Sequence, residues 1–457
     1  MRSIRTDAPA ARRFSRGAFL RGAGAAAVAA AVGGFARSAR AQTATREVTV
    51  DPSWSSDDIR TAIAQCDVVK FAPGEYHITP LDAFTGFYVN HSVKLMAADA
   101  NNKPWIIVDT GGDINPFSVI APGCDVAMEN LKFYCSGGWS GNVVTCRSFD
   151  MRGCEPVPAD PSKGRMAEIL MVCFAYYGAP CEINQITLIG NKFVGNGHVI
   201  EILPDRFGGP QTPPAVFIHK NICICTTGFL IENYSSLIMT ENVFVVTGYL
   251  LDFVAAAFVI ASDDPASTAI VVNNRVHMDL PAPVEIPWWP GVMQFVFPGT
   301  IGCPYHDVPA YNVMVNNLTI DGGCPIARAM QTFKANGCII KNVDYSGANI
   351  MGQGARYDFS GDALLAWFIT GSSDLFAVGI IDAAEYLCLN TASLTLMDNK
   401  KPGARVLEWP TTGNVTYVGK MRRVSRYNAV ALPQGRLDAA AAALKARHPQ
   451  FSKRGLL

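Results

Sequence analysis

Seven asparagines punctuate the chain in the same way. Asn130, Asn191, Asn221, Asn242, Asn274, Asn316 and Asn342 each close a short, mainly apolar run and open another. From Asn191 onward the spacings are 30, 21, 32, 42 and 26 residues, which a core coil of about twenty residues with variable insertions accounts for. The runs are rich in β-branched and aromatic residues and end at Asn, Gly or Pro, so they read as strands rather than helices. A unit this short cannot bury its own apolar face. Successive coils must therefore stack, and the fold grows in one dimension. Stacking places like residues above one another, and an asparagine amide both donates and accepts, so such a column can hydrogen-bond along its length. Two residues after five of these asparagines stand Phe193, Cys223, Phe244, Val276 and Leu318, the expected inward positions of the next strand.

The 457 residues are 49% apolar and 17% charged, which excludes a disordered chain. Lys+Arg and Asp+Glu each total 38, so no net basic charge argues for a nucleic-acid partner. The charge is unevenly placed. Residues 1–41 hold eight arginines and one acid, Asp7, which leaves the remainder at a formal −7. A weakly apolar Ala/Gly run, Gly22 to Ala36, follows the basic stretch, and Ala39 and Ala41 offer small residues for cleavage before Gln42. Ser15 to Arg21 resembles the twin-arginine export motif, with Gly17 where that motif has its second arginine. The expectation is a Tat-like signal peptide over 1–41 and a periplasmic or secreted mature protein. No stretch of the mature chain is long and apolar enough to span a bilayer; the nearest, Leu250 to Ala261, reads as buried strand.

The ends suit a solenoid. Ser55 or Ser56 can cap a helix whose first turn carries Asp57 and Asp58, with Ile59, Ile63 and Cys66 on one apolar face. Leu437 to Arg447 is Ala-rich and reads as helical. The asparagine-closed coils over residues 47 to 400, with this entry, resemble the right-handed parallel β-helix of the pectate lyase-like superfamily. The resemblance implies an all-β solenoid over 42–424 with a short N-terminal capping helix, followed by a tail over 425–457. It also implies a polysaccharide-binding groove on the outer face.

Aligned on a glycine, three coils run from Gly197 to Glu201, from Gly228 to Glu232 and from Gly248 to Asp252. This alignment stacks Glu201, Glu232 and Asp252, about 4.8 Å apart from coil to coil. They would lie on the face opposite Ile200, Ile231 and Leu251 and point to solvent. Like charges in register destabilise a sheet, so a cation, a shared proton or a substrate is called for. His198 lies on the first of these strands and Arg328 beyond the third. Insertions after Asp205 and Leu280 carry Trp288, Trp289, Tyr305 and His306, candidates for contact with sugar rings. Lys220, His219, Arg275 and His277 fall on other faces and read as solvated or packed side chains.

Three functions fit the column. A lyase on an acidic polysaccharide would use Glu201, Glu232 and Asp252 to hold Ca²⁺ against a uronate carboxylate, with Arg328 or His198 handling the proton. A glycoside hydrolase would use two of the acids as a catalytic pair. A non-catalytic polysaccharide-binding or cell-surface protein would need neither. The lyase reading leads. The polygalacturonase and epimerase signatures are incomplete: Gly197 and His198 lack a following Gly, and the Asp-Pro-His-Asp of the epimerases is missing, Tyr305, His306 and Asp307 being a poor substitute.

All 13 cysteines follow the signal-like segment. Cys223 and Cys225 share one strand face and read as buried thiols. Cys135, Cys146, Cys154, Cys173 and Cys181 cluster where one or two disulfides would fit an oxidising compartment. No P-loop, Rossmann glycine pattern, GxSxG elbow or CxxC pair is present.

Overall fold

The computed structural model describes residues 45–423 apart from internal stretches, the longest being 159–169, 173–181, 204–211, 281–294 and 351–365. The signal-like segment, the Ala-rich tail, Asp252, Trp288, Trp289, Tyr305 and Arg328 lie outside the described residues.

The chain is a right-handed parallel β-helix. Three ladders run along it, each strand pairing in parallel with its counterpart one coil on. The first is unbroken from Glu47–Val50 through Leu237–Thr240 within the strand Ser236–Thr240 to Val415–Val418. Its inward row reads Val69, Leu95, Met128, Met151, Leu188, Ile218, Met239, Val271, Val315 and Ile340, all buried and in register. The second ladder stacks Phe193, Cys223, Phe244, Val276 and Ile320 inward. The third includes Gly141–Arg152, Lys192–Ile202, Ile222–Ile231 and Val254–Ile260, long strands that in three cases bend from one ladder into the next. Phe229 joins the faces inside, with ring centroids 6.4 Å from Phe193 and 5.0 Å from Phe244.

The corner between the first two ladders is built as the asparagine repeat predicts. Asn221 Oδ1 accepts from the backbone and amide nitrogens of Asn191, at 2.9 and 3.0 Å. Asn242 does the same for Asn221, and Asn274 for Asn242. Each amide also donates to a backbone carbonyl in the preceding coil: Met151, Leu188, Ile218 and Met239. The residue before each corner has positive φ. That place holds Gly190 (φ 63), Lys220 (φ 55), Glu241 (φ 56) and Asn273 (φ 57). A left-handed residue costs a non-glycine side chain about 1 kcal/mol, which the fully bonded amide behind it offsets.

Three asparagines of the repeat stand elsewhere. Asn130 (φ 56) occupies the left-handed place itself, Asn316 ends a first-ladder strand opposite Val272, and Asn342 precedes Val343, the partner of Leu318. Leu318 takes the corner and Ile320 the inward row, so the amide column stops at Asn274 because leucine offers no acceptor. Its other end is Cys154, whose backbone N–H donates to Asn191 Oδ1 at 2.8 Å.

The entry helix spans Ser56–Gln65. Ser55 caps it, its hydroxyl accepting from the Asp58 N–H at 3.1 Å, and Ile59, Ala62 and Ile63 are buried in the main core. Cys146 and Cys154 are buried; Cys154 forms no disulfide, and burial pushes its thiol up to about 12. Cys223 and Cys225 are buried thiols, each raised by desolvation. Among the described residues no helix is long and apolar enough to cross a membrane.

Candidate functional site

The third ladder carries the chemistry on its outward face. Its inward residues include Val119, Val143, Ile200, Phe229, Ile231, Ile260 and Ile301. Alternation turns their neighbours outward. One outward column therefore runs Ser118, Asn142, Glu201, Leu230, Val259 and Thr300, with the backbone of Met171 paired between Asn142 and Glu201.

This register corrects the expected carboxylate column. Glu201 lies opposite Leu230, not Glu232, and Leu230 lies opposite Val259, seven residues beyond Asp252. A bulge between Gly195 and His198 sets the shift, and His198 pairs with Thr227. Glu201 and Glu232 still share the outward face, because Glu232 follows Leu230 by two. They are staggered in adjacent coils rather than stacked, which relieves the like-charge contact that exact register would impose.

The acids also fail to point into open solvent. Glu201 is 6% exposed and Glu232 2%. Ser118, Asn142 and Thr300 in the same column are equally buried. Ser118 Oγ and Asn142 Oδ1, on directly paired residues, have no hydrogen-bond partner. Leaving a buried polar atom unpaired costs about 1–3 kcal/mol. Two side by side on the outside of a solenoid amount to a surface awaiting hydrogen-bonding groups.

Beyond Glu201 the face is covered by a short loop. Gly302 N–H donates to the Ile260 carbonyl at 2.7 Å, and Cys303 and Val308 exchange antiparallel backbone bonds of 2.8 and 3.0 Å. Asp307 turns the loop with φ 58, and its carboxylate meets Lys334 Nζ at 2.6 Å. Cys303 and Val308 pack on Leu230, Val259 and Ala261, an apolar cluster outside the main core. The loop thereby presses His306 down onto the third ladder, where its Nδ1 meets Glu232 Oε1. The two side chains are 4% and 0% exposed. The other ring nitrogen, Nε2, is buried with no hydrogen-bond partner. Donor atoms of Glu232, Cys303 and His306 all lie within 4.8 Å of one another.

Of the expected site residues, the structure brings Glu232 and His306 together and sets Glu201 on the same outward face. Cys303 was not singled out from sequence. The signal was present: Cys303 and His306 are a Cys-x-x-His pair. A second constellation, read as solvated face from sequence, lies on the second ladder. Asp321 is opposite His277 and receives its Nδ1 at 2.6 Å and Arg275 Nε at 2.7 Å. His219 Nδ1 meets Thr240 Oγ1 at 2.8 Å on the first ladder.

No family model and no curated protein matches the sequence. Among solved structures the chain is similar to a PL6 alginate lyase in complex with trisaccharide, at 10% identity and TM-score 0.39 over 84% of this chain and 87% of that one. It is also similar to the A-module of the Azotobacter vinelandii mannuronan C-5 epimerase AlgE4, at 11% identity and TM-score 0.34 over 83% and 96%.

Proposed function

We propose that the chain is an exported, periplasmic or secreted, carbohydrate-active protein that cleaves an acidic polysaccharide by β-elimination on the outward face of the third ladder. The observation that carries this reading is the buried polar column: Ser118 and Asn142 with unpaired oxygens, Glu201 two coils on, and the Glu232–His306 pair beside it. Hydroxyl-rich sugars suit the unpaired oxygens. A uronate carboxylate acidifies the neighbouring ring C–H, and a positioned proton-transfer group then supports elimination, an effect of typically 10²–10⁴-fold. Glu201 is the carboxylate assigned to that task, with His198 and Arg328 as further candidates. Trp288, Trp289, Tyr305 and Asp252 complete the proposed substrate contacts.

Calcium does not suit the Glu232, Cys303 and His306 donors, while the expected Ca²⁺ set of Glu201, Glu232 and Asp252 includes Asp252, outside the described residues. Ca²⁺ takes six to eight oxygens, whereas Glu232 is joined by a thiol and an imidazole. No step of the elimination is therefore assigned to Ca²⁺.

The test is incubation of the chain from Gln42 with a panel of uronic-acid polysaccharides, with Ca²⁺ or with EDTA. Ultraviolet absorbance reports the unsaturated product, and reducing ends are assayed in parallel. A rise in both is expected, reduced at least a hundredfold in Glu201→Gln. Reducing ends without the absorbance would replace elimination by hydrolysis. Silence in both channels with saturable glycan binding would reduce the face to a binding surface.

A further inference from the structure

We infer that Glu232, Cys303 and His306 form a binding site for a zinc-class divalent cation, which clasps the 303–308 loop to the third ladder. Three independent features converge. The donors are one carboxylate, one thiol and one imidazole, all within 4.8 Å of one another. The soft thiol and borderline imidazole beside a hard carboxylate select Zn²⁺-like ions over Ca²⁺ or Mg²⁺. Second, Cys303 and His306 stand three residues apart in a loop whose ends are locked by the Cys303–Val308 backbone pair. Cys303 and His306 are both held against the third ladder. Third, His306 is nine-tenths buried, and its Nε2 has no hydrogen-bond partner. A buried imidazole nitrogen with its lone pair unused is a ligand atom in waiting.

Burial decides against the rival reading of the same three residues as a cysteine nucleophile, a histidine base and an orienting carboxylate. Cys303 is fully buried and packs on Val259 and Leu230. Cys303 and His306 Nε2 are then the direct ligands, Glu232 orients the ring through Nδ1 as carboxylates do behind metal-bound histidines, and the open positions are left for water or a substrate oxygen. The inference rests on the placement of the loop and not on the lyase reading, although a cation there would put positive charge on the proposed substrate face.

The full chain from Gln42 is purified without chelator or polyhistidine tag, and its metal content is measured by mass spectrometry. Close to one equivalent of zinc is expected. After chelation, Co²⁺ is expected to rebind with a thiolate-to-metal charge-transfer band that is absent in Cys303→Ser and in His306→Gln. Cys124→Ser, a partly exposed thiol outside the site, retains the band. Far-ultraviolet circular dichroism shows whether each variant keeps its strands. Less than a tenth of an equivalent of metal after reconstitution of the folded parent chain would overturn the site. So would a charge-transfer band surviving in folded Cys303→Ser. Rapid alkylation of Cys303 unaffected by added zinc would favour the nucleophile instead. Metal without turnover on any uronate leaves this site standing and removes the lyase reading; turnover without metal does the reverse.

Discussion

Replacing Asn221 by alanine tests the corner on which the coils depend. Its side chain makes four hydrogen bonds: it accepts from Asn191 N and Nδ2 and donates to Leu188 O and Asn242 Oδ1, all between 2.9 and 3.0 Å. At about 1 kcal/mol net for each, their loss alone costs roughly 4 kcal/mol. Not every partner is left alone. Asn191 Nδ2 keeps the Met151 carbonyl and Asn242 Oδ1 keeps the Asn221 backbone N–H, whereas the buried Asn191 N–H loses its side-chain acceptor. An overall cost of about 3–5 kcal/mol follows. Because a solenoid's stability is a sum of local terms, the effect falls on the coils around the corner. Hydrogen exchange followed by mass spectrometry should show protection of residues 186–225 falling about a thousandfold, at 1.4 kcal/mol per factor of ten. The strands Glu47–Val50 and Val68–Phe71 should hardly change. Asn101→Ala, an exposed position away from the amide column, is the control and should cost under 1 kcal/mol. A loss below 1 kcal/mol in Asn221→Ala, or equal losses in the two variants, would refute the argument that the amide column holds the corner. Asn221→Asp sharpens it. A buried carboxylate has its pKa raised by desolvation, so this variant's deficit should be largest at neutral pH and shrink as pH falls and the side chain regains a proton to donate.

Other positions give equally direct outcomes. A Cβ at Gly228 would lie 1.9 Å from the Ala257 carbonyl oxygen, a clash with backbone that cannot rotate away; Gly228→Ala should give little soluble, protease-resistant protein. Phe229→Ala, which empties the centre of the Phe193, Phe229 and Phe244 group, should cost about 3–5 kcal/mol in urea unfolding. Burial alone would raise the Glu155 carboxyl, but the Lys103 ammonium at 2.6 Å, together with Lys132 and Lys192, holds the group below its ordinary value. Lys103→Met should therefore lower stability by up to about 1 kcal/mol at pH 7. A depressed carboxyl contributes above its unfolded pKa and loses that contribution as pH falls through the folded one. The difference between variant and parent should thus close below about pH 4.

The fold was legible because its two signals are local and repeated. An asparagine at a tight corner recurs whatever is inserted elsewhere, and an inward side chain two residues later follows from strand alternation. What the repeat could not show is which of two adjacent places an asparagine fills. Asn130 takes the left-handed place, where asparagine is favoured for its own short side chain, and Asn274 takes the amide corner one residue later in its coil. Both read alike in sequence.

The site was half legible for a related reason. Counting from a glycine sets Glu232 thirty-one residues after Glu201, whereas the observed pairing of Glu201 with Leu230 is twenty-nine. The bulge between Gly195 and His198 absorbs one residue that no composition rule marks. Because the net error is two, the strand period returns both acids to the same face, and only their stagger was wrong; a slip of one would have sent Glu232 into the core. For Asp252 the error is nine, since its strand begins at Val254, and the parity argument no longer protects it. Burial was illegible altogether. Whether an outward acid meets water depends on what lies across it, and here that is the loop from Cys303 to Val308, some seventy residues further along the chain. The lesson is specific: in a solenoid, an outward acid is to be read together with the donors of later insertions. Here the Cys-x-x-His spacing was the clue to which insertion folds back onto Glu232.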